Sequence, residues 1–253
     1  MESYLGKHAE YYDVFYQDKP YAKEAAFIDE SLRRYCKGCA TLLELACGTG
    51  QHAFELEKLG YGIVAIDYSD DLLKIAKAKA RKKSSRIEFI LQDMRRLDLV
   101  GKIFDAAYCL FDSIGYVQTN HAIGQVLDAV HRHLRPSGIF IFEFWHAAAM
   151  IKYFDPVRER HWTTANGEIK RVATTRLDIP RQLAEVTYSI DEVSDGQVSH
   201  LEETQVNRYF LVQEMASYLE NHGFNAVEFL PAYEDTNLIS ENTWHILAIA
   251  QRE

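Results

Sequence analysis

The chain has 253 residues, 47% hydrophobic and 26% charged, with 37 acidic against 28 basic side chains and a formal net charge of -9. Such a composition describes one globular domain with an insertion, and the acidic balance argues against a nonspecific grip on nucleic acid, which relies on Lys and Arg neutralising phosphates. The start "MESYLGKHAEYYD" lacks the basic and apolar parts of a signal peptide, and no apolar run is long enough to span a bilayer, so the cytoplasm is the expected location and a small molecule the expected partner.

Cys36, Cys39, Cys47 and Cys109 do not make a disulfide framework in a chain of this length. The single C-x-x-C at 36–39 has no partner pair, so it reads as two reduced thiols between a helix end and the first strand, with no metal site expected.

Short β-rich runs then alternate with helically spaced stretches. "TLLELA" (41–46) predicts the first strand, and "QHAFELEKLG" a helix with Phe54, Leu56 and Leu59 inward and Gly60 as its stop. "GIVAID" is the second strand; "SDDLLKIAKAKARKK" follows with acids in its first turn and bases in its last, as a helix dipole favours. "RIEFILQD" and "FDAAYCLF" supply the third and fourth strands, "AIGQVLDAVHRHLRPSG" a helix ended by Pro136 and Gly138, and "IFIFEF" the fifth strand. From about Lys152 to Phe210 the rhythm changes to apolar-polar alternation in "KRVATTRLDI", "QLAEVTYSIDE" and "HLEETQVNRYF", the pattern of a half-exposed antiparallel sheet. A helix, "LVQEMASYLENHG", and two strands, "FNAVEFL" and "TWHILAIAQ", complete the chain. The expected architecture is a single α/β domain: residues 1–150 and 211–253 form a doubly wound, Rossmann-like core, and residues 151–210 an inserted sheet covering the substrate side or serving as a homodimer face.

Gly48 and Gly50 follow the first strand, where the absence of side chains lets the backbone approach a ligand. With Ala53 they satisfy G-x-G-x-x-A, and Asp67 ends the second strand, so a nicotinamide dinucleotide is one legitimate occupant and a ligand-free tight turn another.

"LLELACGTGQ", "IDYS" and "QDM", in this order and spacing, resemble the class I S-adenosylmethionine-dependent methyltransferases. The resemblance covers the Rossmann-like part and implies a seven-stranded sheet whose last strand runs antiparallel. It implies that S-adenosyl-L-methionine passes over Gly48 and Gly50, that Asp67 accepts from the ribose hydroxyls, and that Asp93 and the Met94 N–H meet the adenine. Glu44, Ala46, Tyr68 and Cys109 join the implied cofactor contacts. "CLFDSIGYV", "FEFWH" and "YYDVFYQDKPYAKEAA" are more specifically similar to bacterial nucleotide-linked amino-sugar N,N-dimethyltransferases. By that likeness Tyr12 and Tyr21 cover the cofactor, while Tyr4 and Tyr116 face the reacting amine. That family's C-terminal Gly-Arg-Gly has no match in "AYEDTNLISENTWHIL", and Thr174 and Thr175 replace the Ser-His near its inserted-strand arginine. Methyltransferases of other small amines, such as glycine, share the core and stay open.

A sulfonium methyl is already activated, so positioning and exclusion of water are the main tasks, with Tyr12, Tyr21, Phe111, Tyr116 and Trp145 as candidates for an aromatic wall. Tyr4, Tyr116, Glu143 or His146 is available to take or orient the amine proton, and Glu143 reads equally as a buried structural acid. His131, His133, His161, His200, His222 and His245 show no ligand spacing and are expected at the surface or bonded within the fold. The other classes are a nicotinamide oxidoreductase, for which no Ser-Tyr-x-x-x-Lys set is evident, and a non-catalytic cofactor-binding module.

Overall fold

The computed structural model describes residues 6–194, 196–234 and 236–253. Two helices precede the sheet, α1 (Lys7–Phe15) and α2 (Tyr21–Tyr35). The alternating unit follows as β1 (Thr41–Leu45), α3 (Gln51–Lys58), β2 (Gly62–Asp67), α4 (Asp70–Lys83), β3 (Glu88–Leu91), β4 (Phe104–Cys109), α5 (Asn120–His133) and β5 (Leu134–Trp145). A short helix, α6 (Ala147–Lys152), leads into β6 (Val157–Thr164), β7 (Gly167–Asp178), β8 (Leu183–Ser194) and β9 (Gln197–Arg208). The core resumes with α7 (Val212–Asn221), β10 (Phe224–Pro231) and β11 (His245–Arg252).

The core sheet has seven strands in the order β10-β11-β5-β4-β1-β2-β3. Pairing is parallel except around β11, which runs antiparallel to both β5 and β10. β6 to β9 form a separate antiparallel meander. Among the described residues no helix is long and apolar enough to cross a membrane.

Strands covered on both faces need apolar side chains on both, and β5 shows the consequence. Phe140, Phe142 and Phe144 enter the layer packed with α5 and α7, whereas Ile139 and Ile141 enter the layer packed with α2, α3 and α4. Glu143 falls where that second row would continue, yet it is buried. Helix boundaries follow local chemistry: the Ser69 hydroxyl accepts from the Leu72 N–H at the start of α4, and the Thr119 hydroxyl from the Ala122 N–H at the start of α5.

Three local expectations change. Helix α5 stops at His133, and Pro136 and Gly138 lie inside β5, whose pairing with β4 slips between Phe104 and Ala106. The strand bends there, which is how it accommodates a proline. Strand β6 was not expected, because "VRERHWTT" has a mostly exposed, charged pattern that belongs to a sheet edge. The N-terminal aromatics lie on two helices to which no secondary structure had been assigned.

The inserted sheet meets the core at the 3-10 turn Ser113–Val117. A Cβ on Gly115 would stand 1.7 Å from Asn207 Oδ1 and 2.5 Å from the Arg208 carbonyl oxygen, both on β9. Gly115→Ala is therefore expected to destabilise the protein by about 3 kcal/mol through overpacking, read from urea unfolding. An unchanged midpoint would show that β9 can back away.

Candidate active site

The turn after β1 is held in an uncommon backbone conformation, with Ala46, Gly48 and Gly50 at φ 53, 56 and 79. The two glycines serve different purposes. A Cβ on Gly50 would reach 2.8 Å from the Phe89 ring, so that position packs the turn onto the sheet, whereas a Cβ on Gly48 would enter the space below the Tyr12 hydroxyl, 3.5 Å away. Asp67, only 4% exposed, secures the turn: Oδ2 accepts from the Gly48 N–H at 2.7 Å and Oδ1 from the Ser69 N–H at 2.8 Å. Burial raises its pKa to about 6, against the pull of those N–H groups.

A trough runs along this edge of the sheet. Tyr12, Tyr21, Glu44 and His52 border one end, and the Tyr21 hydroxyl is buried there without a partner. Tyr12, Gly48, Asp67 and Tyr116 border the middle, and Asp93, Met94 and Arg95 the far end, with Ala46, Asp67, Tyr68 and Tyr116 shared between these two parts. Burial pushes Glu44 and Tyr12 well above their ordinary ranges. Asp93 accepts from both the backbone and guanidinium N–H groups of Arg95, which keep it below the usual carboxylate range despite burial. Cys109 is fully buried in the apolar core, away from the trough lining, and Tyr4 lies outside the described residues.

A second cavity of about 580 Å³ opens between this trough and the inserted sheet. Tyr16, Trp145, Val186, Tyr188 and His245 line both, so the two spaces communicate. Tyr116 stands beside the junction, its hydroxyl donating to Gln205 Oε1 at 3.0 Å. Helix α1 closes the roof by bonding in two directions. Asp13 accepts from the Thr49 hydroxyl at 2.8 Å and pairs with Lys79, while the Tyr11 hydroxyl donates to Glu192 of the inserted sheet at 2.7 Å.

At the junction two buried carboxylates, those of Asp112 and the expected Glu143, meet the half-buried imidazole of His245; Asp112 and His245 had no expected role in the site. His245 Nδ1 is 2.8 Å from Asp112 Oδ2 and 3.2 Å from Glu143 Oε1. Burial opposes a charge on His245, but the two carboxylates outweigh it and raise its pKa to about 11. Burial raises Asp112 to about 6; Glu143 is buried too, yet His245, Lys19 and the Phe111 N–H draw it below its ordinary range. Asp112 and its neighbour Phe111 both have positive φ, 54 and 59. For residues with side chains each such conformation costs about 1–3 kcal/mol, and it persists where the surroundings over-determine it. His245 is thus bonded within the fold, as one expectation held, but it is also part of a site wall. An antiparallel strand brings its beginning to the edge where parallel strands end, and that was the overlooked signal. His146 bonds through Nδ1 to the Thr243 carbonyl, a contact that supports the chain leading into β11.

The sequence profile of a methyltransferase domain family matches residues 42–138, the segment carrying the glycine turn, Asp67 and Asp93. A solved S-adenosylmethionine-dependent methyltransferase from Clostridium acetobutylicum has the same fold, with TM-score 0.84 over 96% of each chain at 20% identity. This chain carries a methyltransferase domain and is an S-adenosylmethionine-dependent methyltransferase. Its methyl donor is S-adenosyl-L-methionine, and the nicotinamide alternative is set aside. The methyltransferase is also similar to a dTDP-3-amino-3,4,6-trideoxy-alpha-D-glucopyranose N,N-dimethyltransferase of Streptomyces venezuelae, 34% identical over 54% of this chain and 57% of that one. A dTDP-4-amino-2,3,4,6-tetradeoxy-D-glucose N,N-dimethyltransferase of Saccharopolyspora spinosa is 26% identical over 90% of this chain and 89% of that one.

The His245 cluster has a pH signature. Its pKa lies above the ordinary 6.5, so its ionic contribution to stability is complete below that value and is lost as the pH rises through about 11. His245→Gln is expected to lower the melting temperature at neutral pH, with the gap to wild type narrowing toward about pH 10. Calorimetric melts of both proteins across that range check this, and a gap independent of pH would contradict it.

Proposed function

We propose that this methyltransferase transfers its methyl group to the nitrogen of a nucleotide-linked amino sugar. The observation that carries the reading is the cationic wall of the second cavity. Arg158, Arg160 and Arg171 line it, beside the acids Glu234 and Asp155, the latter paired with Arg158. Arg160 and Arg171 lie directly opposite each other in the β6–β7 register, Arg171 held over the rings of Phe15, Trp162 and Tyr188, and an anion between the two would relieve their repulsion. These arginines are suited to take the phosphates in place of the missing Gly-Arg-Gly segment, with the sugar directed toward the trough. A glycine-like amine fills little of a cavity of about 580 Å³ and is the second reading.

In this proposal Asp67 takes the donor's ribose hydroxyls, Asp93 and Met94 its adenine, and Glu44, Tyr12 and Tyr21 surround its amino-acid end. Bound there, the donor supplies a methyl already activated by the sulfonium charge. Tyr12, Phe111, Tyr116 and Trp145 form an aromatic wall that excludes water and favours a cationic centre. Gln205 holds the Tyr116 hydroxyl at the junction, beside the path of the nitrogen. Glu143 acts through His245, because its Oε2 already accepts from the Phe111 N–H and the Tyr233 hydroxyl. The free thiols suit a reducing cytoplasm, and the half-exposed inserted sheet is the proposed face for a homodimer.

Radiolabelled methyl transfer to dTDP-3-amino-3,4,6-trideoxy-α-D-glucopyranose and to glycine tests the acceptor. The nucleotide sugar is expected to be methylated and dTDP to compete with it. Arg160→Ala should raise KM about tenfold or more with little change in kcat, as loss of a binding contact does. Efficient methylation of glycine, unaffected by dTDP, would sink the nucleotide reading. Asp67→Ala is expected to weaken S-adenosylmethionine binding about 100-fold in calorimetric titration, since it removes a buried charged acceptor, and NADH should not bind wild type.

A further inference from the structure

Asp112 is 3% exposed, borders the trough, and has one carboxylate oxygen, Oδ1, buried without any partner. Its other oxygen is engaged with His245. Neighbouring groups are already committed. Glu143 uses both oxygens, one toward His245 and one toward the Phe111 N–H and Tyr233. Lys19 is bound to Glu24 at 2.5 Å and lies over the Phe111 ring. A buried acceptor atom without a donor is costly, so it marks a place where a donor is supplied from outside the chain.

The charge balance narrows the identity of that donor. Two carboxylates face one imidazolium, and the next cation, Lys19, is shared with Glu24, so the cluster is left on balance negative. A hydroxyl group satisfies the hydrogen bond and leaves the charge, whereas an amine with its proton satisfies both. The position is also rigid: the Asp112 carbonyl accepts from Asn207 Nδ2 at 3.2 Å and from the Gly115 N–H at 3.0 Å, and the flanking backbone is in the left-handed region.

We propose that Asp112 Oδ1 is the seat of the acceptor's nitrogen. Resting on the N-methyltransfer reading above, this names the residue that selects an amine over a hydroxyl. Oδ1 takes one proton from the bound ammonium, so that the freed lone pair on nitrogen faces the cavity that Gly48 also lines; the C–N bond then forms as the methyl–sulfur bond breaks, and that bonding pair leaves with sulfur. Asp112 is therefore a residue in contact with the acceptor, while His245 and Glu143 position it.

The test uses the wild-type complex with S-adenosylhomocysteine, titrated by NMR with propylamine and with propan-1-ol, which differ in the donor group and in the charge it carries at neutral pH. Wild type is expected to bind the amine at least about tenfold more tightly than the alcohol. Asp112→Asn, a residue that tolerates left-handed backbone, should abolish the preference while binding S-adenosylhomocysteine as wild type does. Equal binding of amine and alcohol by wild type overturns the assignment whether or not the variant folds, and so does a preference that survives in the variant. Methyl transfer is scored separately: amine preference at Asp112 with labelled methyl found only on oxygen acceptors overturns the N-methyltransfer reading and leaves the seat standing.

Discussion

The geometry of the donor trough depends on one buried carboxylate. Asp67, at the end of β2, holds the Gly48 N–H with one oxygen and the Ser69 N–H with the other, so the loop after β1 and the start of α4 are tied to a single point. A carboxylate in that setting is tolerated because backbone N–H groups face it, and the same setting raises its pKa to about 6. The left-handed residues around the turn, the close approach of Phe89 to Gly50 and the opening below Tyr12 all follow from where that point lies.

A second cluster of charges stands across the trough, on the side proposed for the acceptor. Asp112 follows β4, Glu143 lies on β5 and His245 begins β11, so three adjacent strands contribute to one group of charges. The aromatic side chains between the clusters are not redundant packing: Tyr16 meets Phe111 edge-on at 4.9 Å, and Tyr16 also lines the cavity toward the inserted sheet. The donor and acceptor spaces therefore share a wall made of side chains from α1, the core and the insertion.

Much of this was legible in the order of residues. Strands buried on both faces appear as continuous apolar runs between turn signals, and the glycine turn, Asp67 and Asp93 were readable as the proposed donor site because each sits at or near a strand end, where local sequence reveals position. Strand β6 was hidden by its charges, and the slip in β5 by the habit of reading Pro136 as a stop. Cys109 was expected at the donor but alternation turns its side chain into the apolar layer with Phe142. Asp112 and His245 are 133 residues apart, and their meeting depends on β11 entering the sheet in the opposite direction, which local patterns do not encode. The arginine pair likewise exists only in the register of β6 with β7.

The place of β11 between β5 and β10 has a consequence for how the protein is made. Residues 245–252 follow every other described strand in sequence, yet they occupy an interior position in the core sheet. Until they pair, the inner edge of β5 has no neighbour on that side and Asp112 and Glu143 have no imidazolium between them. Insertion of the last strand then closes the hydrogen-bond ladder and supplies the missing positive charge in one event. The trough after β1 and β2 is built by strands that stand early in the chain, whereas the cluster of Asp112, Glu143 and His245 exists only once β11 has paired with β5.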